Sequence, residues 1–77
     1  MYNVLIAGRG LLSVTRTYEC GTVLGVAYVD LEEIEGEMIY SWDCEVSFSV
    51  MQKVFKAVEI FLKQPEETIS MSMEFKS

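Results

Sequence analysis

Histidine is absent from this 77-residue sequence, which also contains one proline and only two cysteines. Without histidine the chain cannot build a Cys–His catalytic pair, and it lacks the close cysteine pair that a zinc site would need. Cys20 and Cys44 could form one disulfide at most, and two isolated cysteines are typical of free thiols in a reducing compartment. The sequence therefore predicts a cytoplasmic protein that holds no metal.

Basic residues are also scarce, since six Lys and Arg stand against twelve Asp and Glu for a net charge of −6. An acidic surface is repelled by nucleic-acid phosphates and by anionic membranes. No apolar run approaches the roughly 18–20 residues that cross a bilayer, and the N-terminal MYNVLIAG lacks the basic flank of a signal peptide. We therefore expect a soluble protein that binds basic protein surfaces, with no direct nucleic-acid or membrane partner.

The length allows one domain, residues 1–77. A single core of this size usually leaves only ~3–5 kcal/mol of net stability. Hydrophobic residues nevertheless make up 51% of the chain, more than one helix and one sheet face readily bury. We therefore expect part of the apolar surface to be covered by a partner or by a second copy.

Three strands are predicted in the first half of the chain. Residues 2–7 (YNVLIA) are rich in β-forming residues and stop at a glycine turn, residues 8–10. Residues 11–19 alternate between apolar and polar, and residues 22–30 (TVLGVAYVD) follow as a third strand. A two-residue turn at Cys20-Gly21 would pair the last two strands as a hairpin and fix their register.

That register places two pairs on the core face, Leu12 with Val29 and Val14 with Ala27. The opposite face then pairs Ser13, Thr15 and Thr17 with an apolar stripe. Such a stripe is unusual in contact with water, so the sequence predicts an oligomer interface there. Its residues are Leu24, Val26 and Tyr28.

The second half predicts a strand, a helix and a final strand. Residues 38–42 (MIYSW) form the fourth strand, and residues 69–75 alternate as a fifth. Between them Ser47 or Ser49 begins a helix that ends near Pro65. The element order is β-β-β-β-α-β, which predicts an α+β fold: a small antiparallel sheet with one amphipathic helix on one face. The helix is expected to bury Met51, Val54, Phe55, Val58, Phe61 and Leu62.

Motifs for catalysis or cofactor binding are missing. The glycine turn matches neither the dinucleotide fingerprint nor the P-loop. Cys44 lies between Asp43 and Glu45, whose charges would raise the thiol pKa and make it a poor nucleophile. Paired carboxylates could hydrolyse glycosides only in a deep cleft, and DLEEIEGE lacks the spacing of a calcium loop. We therefore expect a protein that is not an enzyme.

The segment from residue 30 to residue 45, DLEEIEGEMIYSWDCE, gathers seven carboxylates and no base. We expect its first part, residues 30–37, to be a loop. One interpretation is that this loop only keeps the protein soluble. The other is a binding surface, in which carboxylates steer a basic partner and two aromatic anchors supply affinity. The predicted partner-binding residues are Asp30, Glu32, Glu33, Glu35, Glu37, Tyr40, Trp42, Asp43 and Glu45.

Carboxylates presented in this way can contact Lys and Arg side chains much as phosphates do. The first functional hypothesis is therefore a stoichiometric inhibitor that blocks a basic, nucleic-acid-handling protein. The profile is similar in size and charge to that of phage-encoded anti-defence proteins, including anti-CRISPRs. The alternative is a structural or accessory subunit that forms a homodimer or larger assembly through its sheet.

Overall fold

A computed structural model describes residues 1–8 and 10–76, and Arg9 of the predicted glycine turn lies outside the described residues. The chain forms five strands and one helix within the described residues, in the predicted order. Their bounds are β1 Tyr2–Ala7, β2 Leu11–Thr17, β3 Val23–Ile34, β4 Glu37–Trp42, α1 Phe48–Leu62 and β5 Met71–Phe75.

The five strands form one sheet in the order β4-β3-β2-β1-β5, with every neighbouring pair antiparallel. The first four strands follow one another as a meander, and α1 then crosses one face of the sheet to bring β5 beside β1. This arrangement confirms the predicted α+β fold. Within the described chain, no helix combines the length and the apolar character that crossing a membrane would require.

The core lies between α1 and the face of the sheet that α1 covers. Side chains in a strand point alternately to opposite faces, so every second residue of β1, β2 and β3 enters this layer. The helix contributes one stripe of small aliphatic residues. The buried residues are Val4, Ile6, Leu12, Val14, Ala27, Val29, Val50, Val54, Ala57 and Val58.

Ser47 is the N-cap of α1, since its Oγ accepts a hydrogen bond from the Val50 backbone N–H at 3.3 Å. Of the two serines considered from the sequence, Ser47 therefore has this role. The buried stripe is rotated from the predicted one, because Val50 and Ala57 are buried. Phe55 and Leu62, both predicted in the core, remain 41% and 58% exposed.

The β2–β3 hairpin has a three-residue turn, which corrects the predicted two-residue one. The Tyr18 N–H donates to the Thr22 carbonyl at 2.9 Å, and the Gly21 N–H donates to the Tyr18 carbonyl at 2.8 Å. Gly21 has a positive φ of 91°, typical of the last residue in such a turn. This turn shifts the register by one residue, so the pairs nearest it are Thr17–Val23, Arg16–Leu24 and Thr15–Gly25.

A β-bulge then restores the predicted register farther along the hairpin. The pairing shifts between Val14 and Thr15, and from there Val14 faces Ala27 and Leu12 faces Val29, as predicted. Val26 is the extra residue of the bulge, so the predicted Thr15–Val26 pair is wrong. A bulge leaves one residue out of the ladder and bends the strand.

The bulge also divides the predicted stripe of Leu24, Val26 and Tyr28. Val26 is half-buried against the core, and Leu24 lies opposite Arg16 on the helix side of the sheet. Only Tyr28 points away from the helix, and it is 60% exposed. A continuous stripe of these three residues on the uncovered face is therefore wrong, while their participation in an oligomer interface stays a prediction.

Candidate protein-binding surface

The acidic segment is a β-hairpin and not the loop that the sequence suggested for residues 30–37. Strand β3 runs through to Ile34, which pairs with Glu37 at the start of β4. The two residues between them, Glu35 and Gly36, have positive φ values of 51° and 83°. Positive φ at both central residues is the geometry of a type I′ turn, which matches the twist of the flanking strands. We call residues 30–39 the acidic hairpin.

The acidic hairpin extends beyond the rest of the sheet. Strand β2 begins at Leu11, opposite Asp30, so residues 31–34 pair only with β4. The last backbone link to the neighbouring hairpin is the Leu31 N–H, which donates to the Gly10 carbonyl. At ~3.4 Å per residue the twelve residues of β3 span about 40 Å, close to the 42 Å longest dimension of the molecule.

The carboxylates of the acidic hairpin are all exposed but do not share one face. Asp30 and Glu32 alternate with Val29 and Leu31, so they point away from α1. Glu37 also points away from α1, because it pairs with Ile34, which lies two residues beyond Glu32 on the same face of β3. Glu33 lies on the helix side, where it lines a concavity of about 290 Å³ with Phe61, Leu62, Gln64, Pro65, Glu66 and Thr68.

The sheet face away from α1, here called the outer face, carries exposed apolar residues at its centre. Leu5 pairs with Ser13, Ser13 pairs with Tyr28, and Leu11 lies two residues from Ser13 on β2. Leu5 and Leu11 are 47% and 44% exposed. Further exposed apolar residues on this face are Val23, Ile34 and Ile39.

Sequence reasoning missed Leu5 and Leu11 as surface residues. Every residue of YNVLIA except Asn3 is apolar or aromatic, so composition alone does not show which alternate set faces the core. The available signal was the register: Leu11 follows a glycine turn and faces Asp30, an acidic residue that belongs in water.

Charge on the outer face is of one sign. Its described strand residues include no Lys or Arg, and its acids are Asp30, Glu32, Glu37 and Glu74. An apolar centre with an acidic margin has the composition of a protein-binding surface, because the apolar part gives affinity and the charges give orientation.

Tyr40 and Trp42 lie on the opposite side of β4, against the helix. The Tyr40 and Phe55 ring centroids are 4.9 Å apart in an edge-to-face arrangement, and those of Trp42 and Phe55 are 6.4 Å apart. Burial raises the pKa of the Tyr40 hydroxyl. The structure therefore separates these aromatic residues from Asp30, Glu32 and Glu37, which the sequence analysis had placed with them on one surface.

Asp43 and Glu45 follow β4. The Asp43 Oδ1 accepts a hydrogen bond from the Tyr28 N–H at 2.9 Å, which gives this carboxylate a structural role. Glu45 is exposed ahead of the helix N-cap.

Both cysteines are free and exposed. The pKa of the Cys44 thiol is raised. The largest cause is a hydrogen bond with the neighbouring Asp43, and desolvation and the negative charge of Asp43 add to it. A hydrogen bond with Thr22 lowers the pKa of Cys20. Across the described part of the chain, no three His, Cys, Asp or Glu residues are grouped so that they could hold a metal ion.

Comparison with known proteins identifies no relative: no family model, no curated protein and no solved structure matches this chain.

Proposed function

We propose that this chain is a non-enzymatic protein-binding module that attaches to a basic protein surface through its outer face and acidic hairpin. The observation that carries the proposal is the position of the carboxylates on a two-stranded ribbon, beside exposed apolar side chains. A hairpin with a two-residue turn presents its charges in a fixed pattern. Fixed charges lose less conformational entropy on binding than charges on a mobile loop.

Spacing on the ribbon supports a partner with several basic side chains. Residues on one face of a strand repeat every ~6.8 Å, and neighbouring strands lie ~4.8 Å apart. Asp30 and Glu32 on β3 and Glu37 on β4 thus form a small array of negative charge. Each charge pair at an exposed margin contributes only about 0–1 kcal/mol, so Leu5, Leu11 and Tyr28 supply most of the affinity.

The partner class that fits best is a nucleic-acid-handling protein, for which this chain acts as a stoichiometric inhibitor in the cytoplasm. Such proteins carry clustered Lys and Arg that bind phosphates. A carboxylate array covering that cluster excludes nucleic acid from it. Binding is then competitive with DNA or RNA and weakens with salt, as the Debye length shortens to ~8 Å at physiological ionic strength.

A pull-down with matched variants tests the proposal. One variant carries Gln at Glu32, Glu33, Glu35 and Glu37, and the control carries Gln at Glu19, Glu59, Glu66 and Glu67. Each replaces four charges and changes the formal charge from −6 to −2. The wild type and the control should capture the same basic protein at low salt, and added DNA or RNA should displace it. Equal capture by the hairpin variant, or no effect of nucleic acid, would refute this proposal.

Self-association through the outer face is the second candidate function. The exposed Leu5, Leu11 and Tyr28 favour it, because three large apolar side chains around Ser13 form a continuous patch. Two outer faces would also bring carboxylates together, so dimerisation should strengthen as salt rises, whereas binding to a basic partner should weaken. Light scattering of the purified protein at low and high salt distinguishes the two.

A further inference from the structure

Arg16 lies at the end of the sheet opposite the acidic hairpin, on the helix side of β2. Its Cζ is 5.3 Å from the ring centroid of Tyr2 and 4.6 Å from that of Tyr18. Both distances fall within the ~6 Å range of a cation–π contact. The two rings hold the guanidinium in one position and leave its edges to make hydrogen bonds.

Among the described residues, no acidic side chain forms an ion pair with Arg16. Its Nε is buried, and no described residue accepts a hydrogen bond from the Nε–H group. The ion pairs found in the described part of the chain both use Glu59, which contacts Lys56 and Lys63. Arg16 thus lacks a described acidic partner although the chain has twelve Asp and Glu residues. A partly desolvated guanidinium attracts an anion more strongly than a fully hydrated one, because less water screens it.

Beside Arg16 the surface forms a concavity of about 490 Å³, lined by Met1, Arg16, Thr17, Tyr18, Glu19 and Cys20. Of the described residues, Arg16 is the only Lys or Arg in this lining. The Met1 α-ammonium in the lining donates to the Thr17 carbonyl at 3.0 Å and adds a second positive charge. The Lys53 Nζ, 5.3 Å from the Tyr2 ring centroid, adds a third nearby. The hydroxyl groups of Thr17 and Tyr18 offer further donors for a small anion, whereas the backbone N–H groups of both residues already donate to the carbonyls of Met1 and Thr22.

We propose that this concavity binds a carboxylate of an acidic peptide segment, with Arg16 as its main contact. The planar guanidinium matches a carboxylate, to which it can donate two parallel hydrogen bonds. Glu19 in the lining opposes a doubly charged anion such as phosphate more than a singly charged carboxylate. The site is distinct from the acidic hairpin, so its existence does not depend on the function proposed above.

Titration of the isotope-labelled full chain tests the site. Binding is followed by the Nε–H resonance of Arg16 where that residue is present, and in every variant by the backbone amide resonances of Thr17 and Tyr18, which line the concavity. The first probe is acetate, a free carboxylate. N-acetylglycine presents a chain-terminal carboxylate, and N-acetylaspartate α-amide presents a side-chain carboxylate. We expect a saturable shift of the Arg16 resonance for acetate. Comparison of the affinities of the two amino-acid probes shows whether the site prefers a chain-terminal or a side-chain carboxylate.

Variants separate specific binding from ionic strength. Arg16→Gln should weaken acetate binding about tenfold or more, because it removes the charge-assisted hydrogen bonds. Arg16→Lys keeps the charge and should weaken it less, and Glu19→Gln should strengthen it severalfold. Lys63→Gln, which removes an exposed base elsewhere, should leave the affinity unchanged.

Three outcomes would overturn the proposal. The first is a non-saturating shift that sodium chloride reproduces at equal ionic strength. The second is tighter binding of inorganic phosphate than of acetate. The third is an unchanged affinity in Arg16→Gln. If that variant does not fold, Arg16→Lys and Glu19→Gln carry the test, and equal affinity in both and in the wild type also contradicts the proposal.

Discussion

The backbone of Tyr28 makes two hydrogen bonds with Asp43. The Tyr28 N–H donates to the Asp43 Oδ1 at 2.9 Å, and the Tyr28 carbonyl accepts from the Asp43 N–H at 3.1 Å. One residue farther along, the Cys44 thiol donates to the Val26 carbonyl at 3.3 Å. Asp43 and Cys44 therefore cover the edge of β3 where β4 has ended and the bulge begins.

We predict that Asp43→Ala lowers the free energy of unfolding by about 1 kcal/mol, because the Tyr28 N–H loses its acceptor. Asp43→Asn should lower it less, since the amide oxygen can still accept this bond. Chemical denaturation followed by circular dichroism measures both. The Glu45→Ala variant, which removes a neighbouring exposed carboxylate, is the control and should be nearly neutral. Equal losses in Asp43→Ala and Asp43→Asn would show that charge and not hydrogen bonding matters.

The turn of the acidic hairpin holds Glu35 at a φ of 51°, and it is the only described residue other than glycine with a positive φ. A left-handed conformation costs ordinary residues roughly 1–2 kcal/mol, whereas Asn tolerates it better. We predict that Glu35→Asn raises the melting temperature by about 2–8 °C, using the usual conversion for a domain of this size. Glu35→Gln, which removes the same charge, should raise it less. A larger gain from Gln than from Asn would contradict this account.

The acidic hairpin shows why part of the site could not be predicted. Glutamate is depleted in strands, so DLEEIEGE resembles a loop, and a Glu-Gly pair is a weaker turn signal than Asn-Gly. Alternation of apolar and polar residues also breaks at Glu33 and Ile34, so pairing with the next strand decides the outcome. Pairing between β3 and β4 therefore outweighs the low strand propensity of the glutamates, and this pairing is visible only in the three-dimensional structure.

The Val14–Ala27 pair was predicted correctly, although the turn behind the prediction was wrong. A three-residue turn and the bulge at Val26 shift the register in opposite directions, so the pairs beyond the bulge are unchanged. Alternation specifies which face a residue occupies near the core, where burial is strongly favourable. It does not locate a bulge, and the outer-face assignment of Leu24 and Val26 failed for that reason.

The two thiols should differ in reactivity. The hydrogen bond with Thr22 lowers the pKa of Cys20, whereas Asp43 raises that of Cys44. The thiolate is the reactive form, so Cys20 should begin to react at a lower pH than Cys44. Iodoacetamide labelling of the native protein between pH 7 and about 9, followed by mass spectrometry of peptides, measures both rates. Thr22→Val should slow the labelling of Cys20 and leave the labelling rate of Cys44 unchanged. Faster labelling of Cys44 than of Cys20 at every pH would contradict the prediction.

Val26 and Leu5 offer a test of the bulge. Val26 is half-buried against the core, whereas Leu5 is exposed on the outer face. We predict that Val26→Lys lowers the free energy of unfolding by about 1–3 kcal/mol, and that Leu5→Lys changes it by less than about 0.5 kcal/mol. Denaturant unfolding of both variants measures the difference. If Val26→Lys is neutral and Leu5→Lys is destabilising, the assignment of the two faces is wrong.

The last prediction concerns the aromatic residues that face α1. Trp42 is the only tryptophan, and its ring lies 6.4 Å from those of Tyr40 and Phe55. We predict that Phe55→Ala lowers the free energy of unfolding by about 1–2 kcal/mol, below the value for a fully buried Phe because this side chain is partly exposed. The same variant should shift the Trp42 emission to longer wavelength, as water reaches the indole.

Phe55→Ala also distinguishes the two possible binding faces. If the partner attaches to the outer face, this variant should bind as tightly as the wild type under conditions where both are folded, and Trp42 emission should not change on binding. Phe61→Ala is the matched control, because it truncates another partly buried aromatic residue of α1 that lies outside the aromatic contacts of Tyr40 and Trp42. A Trp42 emission change on binding, with affinity lost only in Phe55→Ala, would place the partner on the helix side and make Tyr40 and Trp42 its anchors.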